Sequence, residues 1–275
     1  MTQISDFDIR ISDLSIAMLK RHTHRFIVLS FFLILLHIAY LLLMPDLSKL
    51  HKENPPKTAL MEYREKKLKE KGTKYRIDQR WTPFSKISPY LIKAVLIAED
   101  DKFWEHEGFD YEAIQKAIEK DLKAKRFKSG GSTITQQLAR NLFLSPEKSL
   151  IRKVSEAVIT WRMEKVLSKK RILELYLNVA EWGEGIFGAE AASRNYFGKS
   201  SFELTAEEAA RLAAILPNPR RYSPVGDQRY VINRSNLIYS IMIQRGIVIP
   251  EYKEETGEGE SFSSDNSNPS EGFEP

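Results

Sequence analysis

The sequence predicts a mainly α-helical domain preceded by one transmembrane helix. An uncharged apolar run occupies 26–44, apolar residues recur at helical spacing from Pro89 onward, and few segments alternate as strands do. The 275 residues and their average composition suit one large globular domain with appendages. The chain has no cysteine, so a thiolate metal site, a disulfide framework and a cysteine nucleophile are all excluded.

The N-terminal elements are a short basic segment and an anchor. Residues 26–44 read FIVLSFFLILLHIAYLLLM, close to the roughly 20 residues that a helix needs to cross a bilayer. A cleavable signal peptide is the alternative, but its apolar core is usually about 7–15 residues, and the exit here offers no small-residue cleavage site. Lys20, Arg21 and Arg25 flank the run, so segment 1–25 is predicted to be cytoplasmic.

Two further segments flank the folded body, which is predicted to span 75–250. Segment 45–74 is rich in lysine and glutamate and is broken by a Pro-Pro pair, as expected of a juxtamembrane stalk. Segment 251–275 holds eight acidic residues and one lysine among polar residues, which predicts a disordered acidic tail. Without the tail's net charge of −7, the whole-chain charge of +5 becomes +12. A basic body beside a membrane suits anionic headgroups or a pyrophosphate, or is simply a solvated surface; nucleic acid fits poorly outside the cytoplasm.

The body is predicted to be helical because its apolar residues recur every three or four positions, with turns at its glycines and prolines. Three groups carry this pattern: Leu91, Val95 and Ala98; Ile114, Ala117, Ile118 and Leu122; and Ile151, Val154, Val158 and Trp161.

A carboxylate pair ends the first of these apolar runs. Glu99 and Asp100 open the sequence EDDKFWEHEG, which also contains Phe103, His106 and Gly108. Burial after an apolar run would raise the pKa of Glu99 toward a range useful for a general base. An isolated Glu-Asp pair at a helix end is more often solvated or capping, and a lone histidine is more often structural.

A second cluster reads GGSTITQQLARN from Gly130. Two glycines before hydroxyl residues allow a helix to begin there with exposed amide groups, which attract anionic oxygens. A plain N-cap is the simpler interpretation of this segment alone. Its polar and cationic members are Ser132, Thr133, Gln136, Gln137 and Arg140.

A third cluster places two cations around a carboxylate. On a helical wheel, Arg152, Lys153 and Glu156 gather opposite the apolar face of the same helix. An exposed ion pair is the alternative, but the cation precedes the glutamate, the poorer order for stabilising a helix.

Two further segments follow these three clusters: KKRILELYLN from Lys169 and a Pro-rich segment that ends at Pro224. Together and in this order, the five segments closely resemble the five motifs of the peptidoglycan glycosyltransferase family. The resemblance covers roughly 93–224 and identifies the chain as a monofunctional member, with no room for a transpeptidase domain. Ser145-Pro146-Glu147-Lys148 and Ser264-Asp265-Asn266 match transpeptidase motifs by chance, since no K-T-G follows. Many members carry lysine where this chain has Arg140.

The resemblance implies a lysozyme-like, two-lobed fold and a role for each motif residue. Glu99 would be the general base and Glu156 the second functional carboxylate. The substrate-binding residues would be Asp100, Ser132, Thr133, Gln136, Gln137, Arg140, Arg152 and Lys153. The cleft would be shaped by Phe103, His106, Gly108, Tyr176 and Asn178.

The resemblance also implies the reaction: the growing lipid-linked glycan is transferred, with inversion, to the 4-hydroxyl of lipid II, which forms β-1,4 linkages and releases undecaprenyl diphosphate. No tightly bound cofactor is expected, and a divalent cation, Mg²⁺ or Mn²⁺, is a family-level expectation without a legible ligand cluster. The enzyme would be a single-pass protein of the bacterial cytoplasmic membrane with its catalytic domain outside. Cell-wall elongation or division proteins are candidate partners. A lysozyme-like hydrolase and a non-catalytic cell-wall scaffold are the alternatives.

Overall fold

The computed structural model describes residues 21–34, 45–72, 76–124, 131–147 and 149–249. Within these ranges the protein is mainly helical, which confirms the predicted class. The helices are α1 (Ala59–Glu70), α2 (Pro89–Glu99), α3 (Tyr111–Ala124), α4 (Ile134–Phe143), α5 (Leu150–Val166), α6 (Lys169–Val179), α7 (Ala189–Phe197), α8 (Ala206–Ile215) and α9 (Arg229–Gln244). Short 3₁₀ turns occupy Ser48–His51, Phe84–Lys86 and Ser201–Glu203.

Hydroxyl side chains start many of these helices. In each case the side-chain oxygen accepts a hydrogen bond from a backbone amide in the first turn, which satisfies a group with no partner inside the helix. These caps are Thr58, Thr133, Ser149, Ser168 and Thr205.

One main core holds the helices together. α8 packs against α2 and α9, while α4 packs against α1, α5 and α6. The end of α2 and the start of α4 therefore lie in the same body, and both carry motif residues. Fully buried apolar side chains from these helices include Leu91, Val95, Leu138, Ile172, Leu212 and Val231.

A small sheet fixes the end of α6. The strands β1 (Asp78–Gln79), β2 (Glu181–Gly183) and β3 (Ile186–Phe187) lie in the order β1-β3-β2, with β1 parallel and β2 antiparallel to β3. Asn178 at the end of α6 accepts from the Thr82 amide at 2.7 Å and donates to the Thr82 carbonyl at 2.9 Å. The predicted structural role of Asn178 is thus a tie between α6 and the segment after β1.

Part of the predicted anchor can be described. Residues 21–34 form a helix with apolar side chains mostly exposed, and 35–44 lie outside the described residues. Among the helices of the described ranges, none combines the length and apolar character that crossing a bilayer requires. The predicted acidic tail, 251–275, and most of the N-terminal segment also lie outside these ranges.

Segment 45–74, predicted as a stalk, contacts the body at several points of its described part. Leu47 and Leu50 are buried in the main core, and α1 buries Leu60 and Met61 beside Phe187 of β3. α1 also packs along α4, the helix of the second motif. The helix before the motif region therefore helps to shape the site.

The apolar side of α5 faces outward. Ile151 is 81% exposed and Val154 and Trp161 are more than half exposed, whereas Glu156 on the opposite side is fully buried. A helix of a soluble domain usually has the reverse arrangement. The periodicity predicts the helix correctly, but it does not indicate which side is turned to the protein, where the buried residues are Glu156, Ile159, Thr160 and Met163.

Candidate active site

Glu99 ends α2 with its carboxylate held on one side. Its Oε2 accepts a hydrogen bond from Gln137 Nε2 at 2.9 Å, and the Tyr176 hydroxyl donates to Gln137 Oε1 at 3.1 Å. Its Oε1 is buried without a hydrogen-bond partner and lies 3.6 Å from a guanidinium nitrogen of Arg234, which also donates to the Ala98 carbonyl. The two oxygens of this carboxylate therefore have different environments.

Burial raises the pKa of the Glu99 carboxyl, as the sequence predicts. The hydrogen bond from Gln137 and the charges of Arg234 and Arg140 act in the opposite direction, but desolvation is the larger effect. Burial also raises the pKa of Tyr176 well above its usual value, and nearby Glu99 adds to this shift. Tyr176 therefore remains a hydrogen-bond donor to Gln137.

Asp100 joins the first motif to the second. Its Oδ2 accepts from the Ile134 amide at 2.9 Å, and its Oδ1 lies 2.8 Å from His106 Nε2. The Gly108 amide donates to His106 Nδ1 at 3.1 Å, so the imidazole proton is on Nε2 and is donated to Asp100. Thr133 in turn donates to the Gly108 carbonyl at 2.7 Å.

This arrangement corrects one sequence-based expectation about the start of α4. The first amides of the helix are not open to an external anion, because Asp100 supplies an anionic oxygen to Ile134 and Thr133 caps Gln136. The Gln136 side chain returns to the Thr133 amide, which completes a capping box. Thr133 and Gln136, predicted to bind substrate, are buried and have structural partners here.

The remaining cleft residues of the first motif are also fixed by packing. Phe103 is fully buried, and Lys169 Nζ lies 4.6 Å from its ring centroid. Lys169 also donates to Glu164 Oε1 at 2.9 Å, which accepts a second hydrogen bond from Thr135 Oγ1 at 2.6 Å. Gly108 has φ +89°, and a side chain there would clash with Thr160. A larger residue at Gly108 would therefore displace the turn that holds His106.

The third motif forms the predicted cationic cluster. Arg152 donates to Glu156 Oε2 at 2.7 Å, and Lys153 donates to Glu156 Oε1. Lys153 Nζ also lies 3.5 Å from Ser132 Oγ. Glu156 thus orients two cations rather than facing solvent, and Ser132 links the cluster to the second motif.

Two cavities adjoin these groups. One of about 490 Å³, which we call the arginine cavity, is lined by Leu60, Arg64, Gln137, Arg140, Asn141, Pro146, Arg152, Tyr176, Ala180, Glu181, Leu216, Pro217 and Pro219. The other, of about 210 Å³, is lined by Ile97, Ala98, Glu99, Asp100, Asp101, Asp110, Ala113, Gly131, Ser132 and Thr133. Gln137 lines the first cavity and donates to Glu99 of the second, so one hydrogen bond links the linings of the two cavities.

Comparisons with known proteins show the family of the chain. The family model described as "Transglycosylase" matches residues 65–243. The chain belongs to the transglycosylase family. It is 52% identical over 194 residues to the "Biosynthetic peptidoglycan transglycosylase" of Nitrosospira multiformis, which covers 70% of this chain and 84% of that one. Proteins of the same name from Dechloromonas aromatica and Azoarcus sp. are 55% and 56% identical over 169 residues, or 62% of this chain and 73% of each relative.

Sequence reasoning missed several charged residues of this transglycosylase site. Arg234 pairs with Glu99 from α9, and Arg64 of α1 binds Glu181 of β2 beside the arginine cavity. A signal for Arg234 exists, because it lies three residues after buried Val231 on the inner face of α9. Arg64 and Glu181 show no local pattern, since they meet only through packing of segment 45–74 on the body.

Proposed function

We propose that this protein polymerises peptidoglycan glycan strands from a lipid-linked disaccharide, as the names of its relatives suggest. The observation that carries the proposal is the environment of Glu99. One oxygen of this buried carboxylate accepts from Gln137, which lines a cavity with three arginines, and the other accepts no hydrogen bond. The Glu99 carboxylate and the arginines supply the two requirements of glycosyl transfer to a hydroxyl. These are a base for the acceptor and cations for an anionic leaving group.

Glu99 would act as the general base through Oε1. The acceptor's 4-hydroxyl would give its proton to this oxygen while its own oxygen attacks the anomeric carbon of the donor. A β-1,4 bond then forms with inversion as the bond to the pyrophosphate oxygen breaks. Because burial raises the pKa of Glu99, its ionised form is a stronger base than an exposed carboxylate.

The cations of the second and third motifs would stabilise the departing undecaprenyl diphosphate. Arg140 and Arg152 line the arginine cavity, and Lys153 shares Glu156 with Arg152. Charge that develops on a pyrophosphate is stabilised most by donors already in place, because they need not reorganise during the reaction. Glu156 would thus act by holding Arg152 and Lys153 in position.

A divalent cation bound directly to Glu156 does not fit this arrangement. Both carboxylate oxygens already accept hydrogen bonds from cationic side chains, and the residue is fully buried. Glu156 would therefore act through Arg152 and Lys153, and no step uses a metal.

The membrane location and the lysozyme-like two-lobed architecture form part of the same proposal. The exposed apolar side of α5 is the kind of surface that lies in a lipid interface, and the polyprenyl tail of the substrate stays in lipid. With 26–44 as a single-pass anchor, the catalytic domain would lie outside the cytoplasmic membrane with this side of α5 toward the bilayer.

The hydrolase and scaffold alternatives explain less of the site. A glycosidase needs two carboxylates but no cavity lined by three guanidinium groups. A scaffold needs no buried carboxylate with a raised pKa and a free oxygen.

The test is incubation of the detergent-purified full chain with labelled lipid-linked disaccharide-pentapeptide. We expect long glycan that lysozyme digests, and release of undecaprenyl diphosphate. Failure to form polymer under conditions where a known polymerase works would contradict the proposal. Shortening of preformed glycan would then favour the hydrolase, and binding without turnover the scaffold.

A further inference from the structure

The arginine cavity contains more positive charge than its own carboxylate neutralises. Arg64 comes from α1, Arg140 from α4 and Arg152 from α5, and Glu181 is the acidic residue that lines the cavity with them. Arg64 pairs with Glu181 and Arg152 with Glu156. Among the described residues, Arg140 has no carboxylate within salt-bridge distance. The cavity is therefore complementary to an anion.

Polar atoms without partners indicate that the cavity is built for a ligand. Arg152 Nε is buried with no hydrogen-bond acceptor, and Glu181 Oε1 is buried with no donor. An anion can satisfy only the first of these two atoms, because a carboxylate oxygen needs a donor. Buried polar groups in folded proteins nearly always have partners, because an unsatisfied group costs free energy. A ligand with anionic oxygens would supply an acceptor for Arg152 Nε.

Arg64 is held by Glu181 in a way that leaves donors available. Its Nε and Nη2 donate to the same carboxylate oxygen, Oε2, at 3.0 and 2.8 Å. A guanidinium has five N–H groups in a fixed planar fork, so the Nη1 edge can bind a second acceptor without breaking this pair. Arg64 precedes the family match, which begins at residue 65, so the motifs alone do not assign it a role.

We propose that Arg64, positioned by Glu181, is a third guanidinium that binds the pyrophosphate of the lipid-linked substrate together with Arg140 and Arg152. The inference rests on the proposed function. Three arginines from three separate helices surround one cavity of about 490 Å³, which is large enough for a pyrophosphate. Planar guanidinium groups bind phosphate oxygens through paired hydrogen bonds, which gives the site geometry as well as charge. Glu181 is a positioning residue, since it acts through Arg64.

The competing explanation is that Arg64 and Glu181 only attach α1 to β2. A double variant separates this explanation from the proposed binding role. Arg64→Gln combined with Glu181→Gln removes the pair without leaving an unpaired buried charge. The full chain in detergent is titrated calorimetrically with inorganic pyrophosphate, and its melting temperature is measured in parallel. Arg80→Gln is the matched control, since Arg80 also pairs with a carboxylate, Asp78, but is exposed and outside the cavity.

We expect Arg64→Gln to bind pyrophosphate about tenfold more weakly, equal to about 1.4 kcal/mol, and to raise the KM for the lipid-linked substrate more than it lowers kcat. The double variant should have the melting temperature of the wild type but the weak pyrophosphate affinity of Arg64→Gln. Arg80→Gln should match the wild type in both quantities. Glycerol phosphate, which represents a phospholipid headgroup, should compete poorly with pyrophosphate.

Two results would overturn the inference while leaving the polymerase intact. One is a wild type that makes glycan but binds no pyrophosphate, or an Arg64→Gln variant that binds pyrophosphate as tightly as the wild type does. The other is full recovery of affinity in the double variant, which assigns the pair to fold stability alone. Preferential binding of glycerol phosphate would reassign the cavity to phospholipid. A wild type that makes no glycan refutes the proposed function, an outcome distinct from all of these.

Discussion

At the scale of single residues, the central feature is the asymmetry of the Glu99 carboxylate. Tyr176 fixes the Gln137 amide, and Gln137 donates to Glu99 Oε2, while Oε1 has no hydrogen-bond partner. Because a base must offer a lone pair, the proposed mechanism uses Oε1, which accepts no hydrogen bond, as the proton acceptor. The same contacts influence the pKa of Glu99, so under the proposed mechanism they also set where activity falls on the acid side.

Gln137→Leu should move the acid limb of the activity profile to higher pH. The hydrogen bond from Gln137 lowers the pKa of Glu99, so its loss lets burial raise that pKa further. Tyr176→Phe should shift the limb in the same direction but less, since Gln137 remains and only its orientation is released. The rate of glycan synthesis as a function of pH checks both. An unmoved acid limb with a lower plateau would mean that Gln137 acts only in substrate binding.

Glu99→Gln should not destabilise the protein at neutral pH. The folded pKa of Glu99 lies above its unfolded value, so ionisation costs more in the folded state and stability is lost as pH rises through the folded pKa. A neutral glutamine avoids this cost. The melting temperature of the Glu99→Gln variant should exceed that of the wild type at pH 7. The difference should vanish well below the pKa of Glu99 in the unfolded chain. A lower melting temperature at pH 7 would show that the pairing with Arg234 outweighs burial.

At the scale of elements, the end of α2 and the start of α4 are joined through one side chain. Asp100 accepts one hydrogen bond from the Ile134 amide and another from His106, each on a different oxygen. Glu99 precedes Asp100 directly, and Gln137 lies in the first turns of α4. The junction therefore sets the distance between the base and the amide that orients it.

Asp100→Asn should destabilise the protein, because its two donors lie on different oxygens and asparagine replaces one oxygen with an NH₂ donor. We expect a loss of about 1–3 kcal/mol in the free energy of unfolding, measured by denaturant titration. Asp101→Asn is the control, since its carboxylate pairs with Arg245 at the surface and should matter less. Equal effects of the two substitutions would argue against the junction.

The outward apolar side of α5 gives a second prediction at this scale. Trp161 is 55% exposed and should reach lipid if this side faces the bilayer. In the reconstituted full chain, brominated lipids should quench tryptophan fluorescence, and Trp161→Phe should remove part of that quenching. Trp182→Phe is a control, because Trp182 is fully buried. Quenching unchanged by Trp161→Phe would place α5 away from the membrane.

At the scale of the whole molecule, local patterns predicted the helices and the motif positions. The positions of Glu99 at the end of α2 and of the Arg152–Lys153–Glu156 cluster on α5 agree with the periodicity. The inward direction of the polar face of α5 could not be predicted, since apolar residues usually turn inward and the exception depends on the surroundings.

Contacts between distant segments account for the other differences. Arg234 meets Glu99, and Arg64 meets Glu181, across more than 100 residues of sequence. The hydrogen bond from the Ile134 amide to Asp100 is another contact of this kind. The glycines and hydroxyl residues before α4 indicate that a helix starts there, but not which residue accepts from its first amide. Such pairs follow from the packing of α1, α2 and α9 on the body rather than from local periodicity.

One comparison tests most directly whether Glu99 is the base of a glycan polymerase. The rate of glycan synthesis from labelled lipid-linked disaccharide-pentapeptide is measured for the wild type, Glu99→Gln and the exposed control Glu105→Gln. We expect polymer from the wild type and the control, and a loss of at least about 100-fold for Glu99→Gln, the lower range for removing a general base. Polymer formed by Glu99→Gln at the wild-type rate would contradict this role of Glu99.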